Sequence, residues 1–205
     1  GIPWVSTYPT SAVNTALGNE GVPLLMMRDE RYAVALADAF SRVTGGKQIG
    51  VCTVMGGVNA AGLQMAYGAL AQAFEDSSPV LCIADGVPLG GGGNSHFDIG
   101  LGFHAITKWI GYIDQSQRVP EFMRRAFTYL RTGRRGPVLL TLPRNTGEYD
   151  EDEYPYTPVK GWKWAPDPND VKAAVKALLA ARNPLLFVGE GVFYADATLE
   201  LLEFV

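Results

Sequence analysis

Short runs of continuous apolar residues alternate along the chain with longer stretches in which apolar residues recur every three or four positions. Residues 4–8, 23–27, 49–54, 80–84 and 138–142 have the length and β-branched content of strands. A first helix is expected from Thr10 or Ser11 through Ala12, Val13, Ala16 and Leu17, closed by the glycines at 18 and 21. A second opens at Asp29 or Glu30 and carries Ala33, Leu36, Ala37, Phe40 and Val43 before Gly45-Gly46 stops it. A glycine-bearing turn at 55–59 leads into a third helix reaching Phe74, and residues 76–79 turn the chain into the strand at 80–84. Residues 85–98 are irregular, and the four glycines at 90–93 predict a mobile surface loop there. Residues 106–113 should be extended, and a helix from Val119 through Met123, Ala126, Phe127 and Leu130 closes at Gly133. Continuous apolar strands separated by helices of this length predict an α/β fold: a doubly wound, mostly parallel sheet with helices on both faces.

The pattern breaks at residue 148, where an acidic run gives way to a Pro-, Tyr- and Trp-rich stretch without periodicity. The division expected is a first domain at 1–147, a linker at 148–167, and the beginning of a second α/β domain at 168–205. In that last part a helix at 171–182 ends before Asn183-Pro184, and 185–188 reads as a strand. The start resembles the middle of a strand-forming segment and the end a helix in progress, so the sequence reads as a piece of a longer protein. A net charge of −4 and a pI near 5.2 speak against a nucleic-acid binder working through a basic face. No apolar run is long enough to span a bilayer as a helix. Cys52 and Cys82 each sit inside an apolar strand run, which predicts buried free thiols and a cytoplasmic setting.

Most chemical motifs are missing. There is no Walker loop, His-Glu-x-x-His, Cys-x-x-Cys or Gly-x-Ser-x-Gly, and the two histidines, His96 and His104, have no ligand-spaced partner; no metal ligands are expected on this chain. Gly189-Glu190-Gly191 after a strand is a partial dinucleotide loop in which Tyr194 replaces the third glycine. The basic run from Arg131 to Arg135 complements a helix C-terminus, a reading favoured over the alternative of phosphate binding. The helix leading to Phe74 is rich in Ala and Gly, suited to close internal packing or to a helix-on-helix dimer seam.

Glu30 stands where a strand ends and a helix begins, the side on which ligands bind in open α/β sheets, although an acid there also simply suits a helix N-terminus. The segment from Arg28 to Gly45 (Arg-Asp-Glu-Arg-Tyr-Ala-Val-Ala-Leu-Ala-Asp-Ala-Phe-Ser-Arg-Val-Thr-Gly) resembles the glutamate-bearing helix of the acetolactate synthase-like thiamine diphosphate enzymes. So do the stretches from Ala71 to Val80 and from Arg124 to Val138, and Ile106-Thr107-Lys108-Trp109 is similar to the family's Val-Thr-Lys segment. The matches run in order from about Trp4 to Pro143. The resemblance implies that the first domain is the family's pyrimidine-binding (PYR) domain and that the last part begins the central domain, which in some members holds FAD.

By the same resemblance, Glu30 is the catalytic acid that hydrogen-bonds N1′ of the aminopyrimidine. Sharing a proton there favours the imino form that deprotonates the thiazolium C2, and the activated carbon attacks the carbonyl of a 2-oxo acid. Met55, Gly56, Gly57 and Gly62 fall in the cofactor loop, and Ser95, His96 and Phe97 where family members carry substrate residues. Both segments depart from the pattern. Instead of Gly-Pro-Gly-Ala the chain has Met55-Gly56-Gly57-Val58-Asn59 before Ala60-Ala61-Gly62, and Ser95 replaces the usual glutamine of Phe-Gln-Glu. The Gly-Asp-Gly…Asn motif that holds Mg²⁺ and the diphosphate lies in the family's PP domain and is absent from this sequence. The function implied is a decarboxylase or carboligase acting on 2-oxo acids or related carbonyl compounds. The cofactor site would form in a homodimer or homotetramer, or with a separate PP-domain subunit, and without nucleic acid or membrane. The alternative is a non-catalytic or split-subunit PYR module. In either case this chain alone is not expected to bind the cofactor productively.

Overall fold

The computed structural model describes residues 2–9, 11–56, 61–90 and 97–205. Six parallel strands form one sheet in the order β2-β1-β3-β4-β6-β5. They are β1 (Val5–Thr7), β2 (Leu24–Met26), β3 (Gly50–Val54), β4 (Val80–Gly86), β5 (Trp109–Tyr112) and β6 (Val138–Pro143). The helices are α1 (Ser11–Asn19), α2 (Glu30–Val43), α3 (Ala61–Glu75), α4 (Ile99–Phe103), α5 (Val119–Arg131), α6 (Pro168–Ala180), α7 (Gly191–Ala195) and α8 (Thr198–Phe204). The doubly wound α/β architecture expected from the strand and helix pattern is the one observed.

Burial on both faces explains why the central strands read as unbroken apolar runs. On one face Ala33, Val34 and Ala37 of α2 and Leu63, Ala66, Leu70 and Ala73 of α3 close over Cys52, Val54, Val80, Cys82 and Ala84. On the other, α5 contributes Phe122, Ala126 and Leu130 against Val51, Leu81, Val138 and Leu140. Each fully buried leucine contributes about 1.5–3 kcal/mol. Ser41 ties α2 to the sheet: its hydroxyl donates to Pro79 O at 2.6 Å and accepts from Gly50 N at 2.8 Å.

Four expectations change. The buried stripe of α2 runs through Ala33, Val34, Ala37, Asp38 and Ser41, so Val43, 82% exposed, falls on the solvent side of a helix whose apolar spacing had included it. The segment expected to be extended from residue 106 begins instead with a 3₁₀ turn at His104–Ile106, and the edge strand starts only at Trp109. A short unforeseen helix, α4, precedes it, capped by Asp98, whose Oδ1 accepts from Leu101 N at 3.0 Å. Residues 185–188 do not form a strand. Phe187 is 98% exposed, and among the described residues no neighbouring strand offers the backbone partners a parallel strand needs. Without that strand, Gly189-Glu190-Gly191 is not a strand-to-helix dinucleotide loop. The glycines at 91–93 lie outside the described residues.

Candidate active site

The strand order reverses at β1: the chain leaves it for β2 on one side, then crosses to β3 on the other. The carboxyl ends of β1 and β3 therefore flank the crevice in which open α/β sheets bind ligands. Its floor is tied together from both sides. Met27 N donates to Thr7 O at 2.7 Å and Tyr8 N to Thr53 O at 3.3 Å. Thr53 Oγ1 lies 2.5 Å from Thr7 Oγ1, and both hydroxyls are within 3.0 Å of Asn14 Oδ1 on α1. Sequence reasoning passed over this pair of threonines, although a hydroxyl near the carboxyl end of each of two neighbouring strands, last in β1 and next to last in β3, was the available signal.

Glu30 enters this crevice as the first residue of α2. Asp29 starts the helix, its extended backbone (φ −157°) and its Oδ1 accepting from Tyr32 N at 3.0 Å as an N-cap should. Ser6 anchors the next turn by donating to Ala33 O at 2.6 Å. Glu30 is then only 5% exposed. Among the described residues none donates a hydrogen bond to its carboxylate. A buried carboxylate is ordinarily paired, so this one is set to meet a donor from outside the described chain.

Gly62 makes room for it. A Cβ on this α3 glycine would collide with Glu30 Oε1 and stand 2.8 Å from both Cβ and O of Met55. Gly56 serves the same end by close approach: a Cβ there would lie 2.5 Å from Asp85 O and 3.2 Å from Ala84 Cβ, so the chain leaving β3 runs hard against the end of β4. Glu30, Met55 and Gly62 are thus brought together, with Gly56 one residue further on. The carboxylate, held against the bare Cα of Gly62 with no donor among the described residues, fits a ring nitrogen that can share a proton, which is what an aminopyrimidine presents.

The remaining expected site residues divide. Gly57, Ser95 and His96 lie outside the described residues. Phe97 is described: it packs edge-on against Phe103 (6.1 Å, 87°) and joins the apolar cluster under α2 and α3. Asp85, an acid inside an apolar strand run, is buried at the end of β4, where Arg144 Nη2 donates to its Oδ2 at 3.0 Å and its Oδ1 has no partner among the described residues. Lys108 is not at the crevice; its Nζ donates to Tyr129 O at 2.5 Å and Thr132 O at 2.9 Å, closing the C-terminal end of α5.

Residues 5–110 match the family model described as thiamine pyrophosphate enzyme, N-terminal TPP binding domain. The chain belongs to the thiamine pyrophosphate enzymes. Among its relatives, the probable acetolactate synthase large subunit of Methanocaldococcus jannaschii is 34% identical over 98% of this chain and 36% of that protein. The glyoxylate carboligase of Escherichia coli O157:H7 is 32% identical over 100% of this chain and 34% of that protein. The chain spans about a third of the length of these curated relatives. In fold it is similar to the thiamine diphosphate-dependent 4-hydroxybenzoylformate decarboxylase of Rhodococcus jostii RHA1, with a TM-score of 0.82 at 20% identity over 98% of this chain and 39% of that one. The thiamine pyrophosphate enzyme fold accounts for the switch-point crevice, with Glu30 at its edge. Among the described residues no helix is long and apolar enough to cross a membrane.

Proposed function

We propose that this chain supplies the aminopyrimidine-binding half of a thiamine diphosphate-dependent decarboxylase or carboligase acting on 2-oxo acids or related carbonyl compounds. The observation that carries the reading is the buried Glu30 carboxylate, without a donor among the described residues and facing the bare Cα of Gly62. Relatives named as an acetolactate synthase and a glyoxylate carboligase support the reaction class. When bound, the cofactor supplies a nucleophilic carbon and an electron sink. Glu30 holds a proton at the ring nitrogen N1′, and its burial keeps water from competing for that position. Gly62 and Met55 fix the carboxylate laterally, while the Thr7–Thr53–Asn14 network holds the crevice floor.

In this reading residues 1–147 form the PYR domain, 148–167 the linker, and 168–205 the first elements of the central domain. Mg²⁺ and the diphosphate are held by a PP domain outside this chain, so the working unit is a homodimer or homotetramer, or a complex with a PP subunit, in the cytoplasm. FAD, where used, would belong to the central domain. The test is proton exchange at thiamine C2 in the full-length assembly. Glu30→Gln should slow it at least about tenfold, because a positioned acid or base contributes roughly 10²–10⁴ in rate. Exchange at the parental rate would remove Glu30 from this role.

A further inference from the structure

At the opposite, amino-terminal end of the sheet, the loops preceding β3, β4 and β6 form a second polar cluster. Arg135 spans two carbonyls: Nη1 donates to Gly45 O at 3.1 Å and Nη2 to Tyr194 O at 3.0 Å, with the guanidinium 5.3 Å from the Tyr194 ring centre. Ser77 Oγ donates to Glu190 Oε1 at 2.7 Å and accepts from Arg134 Nε at 2.9 Å. Arg134 also reaches Phe74 O and Glu75 O, at 3.4 and 3.1 Å. Lys47 pairs with Asp196 at 2.8 Å. Ser77, Arg135 and Lys47 join the sheet unit to residues 190–196, around the short helix α7, while Arg134 braces Ser77 from the sheet side.

The backbone marks the same place. Among the described residues the non-glycine positions with left-handed φ are Ser77 (54°) and Asp196 (58°). Each ends a helix: Ser78 N bonds Ala73 O beside the first, and Ala197 N bonds Val192 O beside the second. Glycine is the least strained residue at such a helix end. Here a side chain stands at both, and both side chains reach across the junction, one to Glu190 and the other to Lys47. Strain gathered where two parts of a chain meet points to a working contact. The bonds across the contact are polar, the kind that allows relative movement rather than a permanent seam.

We propose that residues 190–196 act as a releasable latch, seated in a socket of Gly45, Lys47, Ser77, Arg134 and Arg135, which sets how the part of the chain beyond the linker is held against the sheet. The latch grips the end of the sheet away from Glu30, so its role is conformational and separate from the proposed chemistry. Arg135 is the central element, because a planar fork bridges two carbonyls and an ammonium does not reproduce it.

Amide hydrogen exchange on the intact chain tests the latch. Arg135→Met should speed exchange of the peptide covering α7 about tenfold and leave peptides from β3 and β4 unchanged, with Arg135→Lys falling between. Unchanged α7 exchange in Arg135→Met would overturn the proposal. If that variant also loosens β3 and β4, the charge exchange decides. Lys47→Asp or Asp196→Lys alone should speed α7 exchange roughly two- to fivefold, the range for a surface ion pair. The joint swap should restore it, whereas additive loosening would overturn the latch.

Discussion

A carboxylate and a missing methyl group make up the chemical heart of this chain. Glu30 was legible from its place between a strand and a helix and from the resemblance around it; Gly62 was legible only as part of a departed motif. What no reading of spacing could show is that the two touch, because contact between the first turn of α2 and the first turn of α3 depends on how far the helices slide over β3. Gly62→Ala tests that contact. Alanine favours the helix by about 1 kcal/mol over glycine, while its Cβ displaces the flexible end of Glu30 and presses on Met55. In the full-length assembly the expected outcome is C2 proton exchange at least about tenfold slower, with a lowered thermal midpoint because the same Cβ would stand 2.8 Å from the backbone oxygen of Met55. Exchange at the original rate would separate Gly62 from the placement of the carboxylate. The basic run at 131–135 shows the limit of residue reading. A helix-end role was expected for it, and Arg134 does reach a helix end, but that of α3, while Arg135 reaches Gly45 and Tyr194.

Among the elements, strands buried on both faces were the easiest to place, since their composition leaves little choice. β5 was harder. It is an edge strand, and only the residues from Trp109 onward find a partner in β6. Residues 185–188 failed for a related reason: apolar sequence does not make a strand without a neighbour. Lys108, noticed only as part of a resembling segment, closes α5, and burial pushes its amine below the ordinary lysine range near 10.5. The unfolded chain therefore binds more protons at Lys108 than the folded one in the interval just under that value. Stability gained from this group rises with pH across that interval, and the burial cost is fully present below it. Lys108→Met should remove this rise. The difference in urea midpoint between the two chains should move in favour of the parent as pH climbs toward 10.5, and a constant difference would contradict the assignment. At neutral pH the variant should lose about 1–2 kcal/mol, as the carbonyls of Tyr129 and Thr132 lose their donor.

The molecule as a whole divides its labour between two ends of one sheet. The carboxyl ends of the strands hold Glu30, and the amino ends hold the junction with residues 190–196. The doubly wound class could be read from alternation alone. The strand order could not, since the detour of β5 to the edge before β6 returns is a matter of packing α4 and α5. If only the ring-binding half of the cofactor site is present, isothermal titration of residues 1–205 with thiamine diphosphate, with or without Mg²⁺, should show no tight association. Micromolar binding would mean that this chain also grips the diphosphate.

One pair of side chains offers a way to watch the sheet from inside. Cys52 and Cys82 are register partners on β3 and β4, both free and both fully enclosed. Their mutual contact and their burial push the Cys52 thiol well above its usual range. Alkylating reagents attack the thiolate, so at neutral pH they find nothing to attack until the middle of the sheet parts. The rate at which such a reagent consumes these sulfurs is therefore a clock for the opening of the scaffold, built into the native sequence and needing no added label.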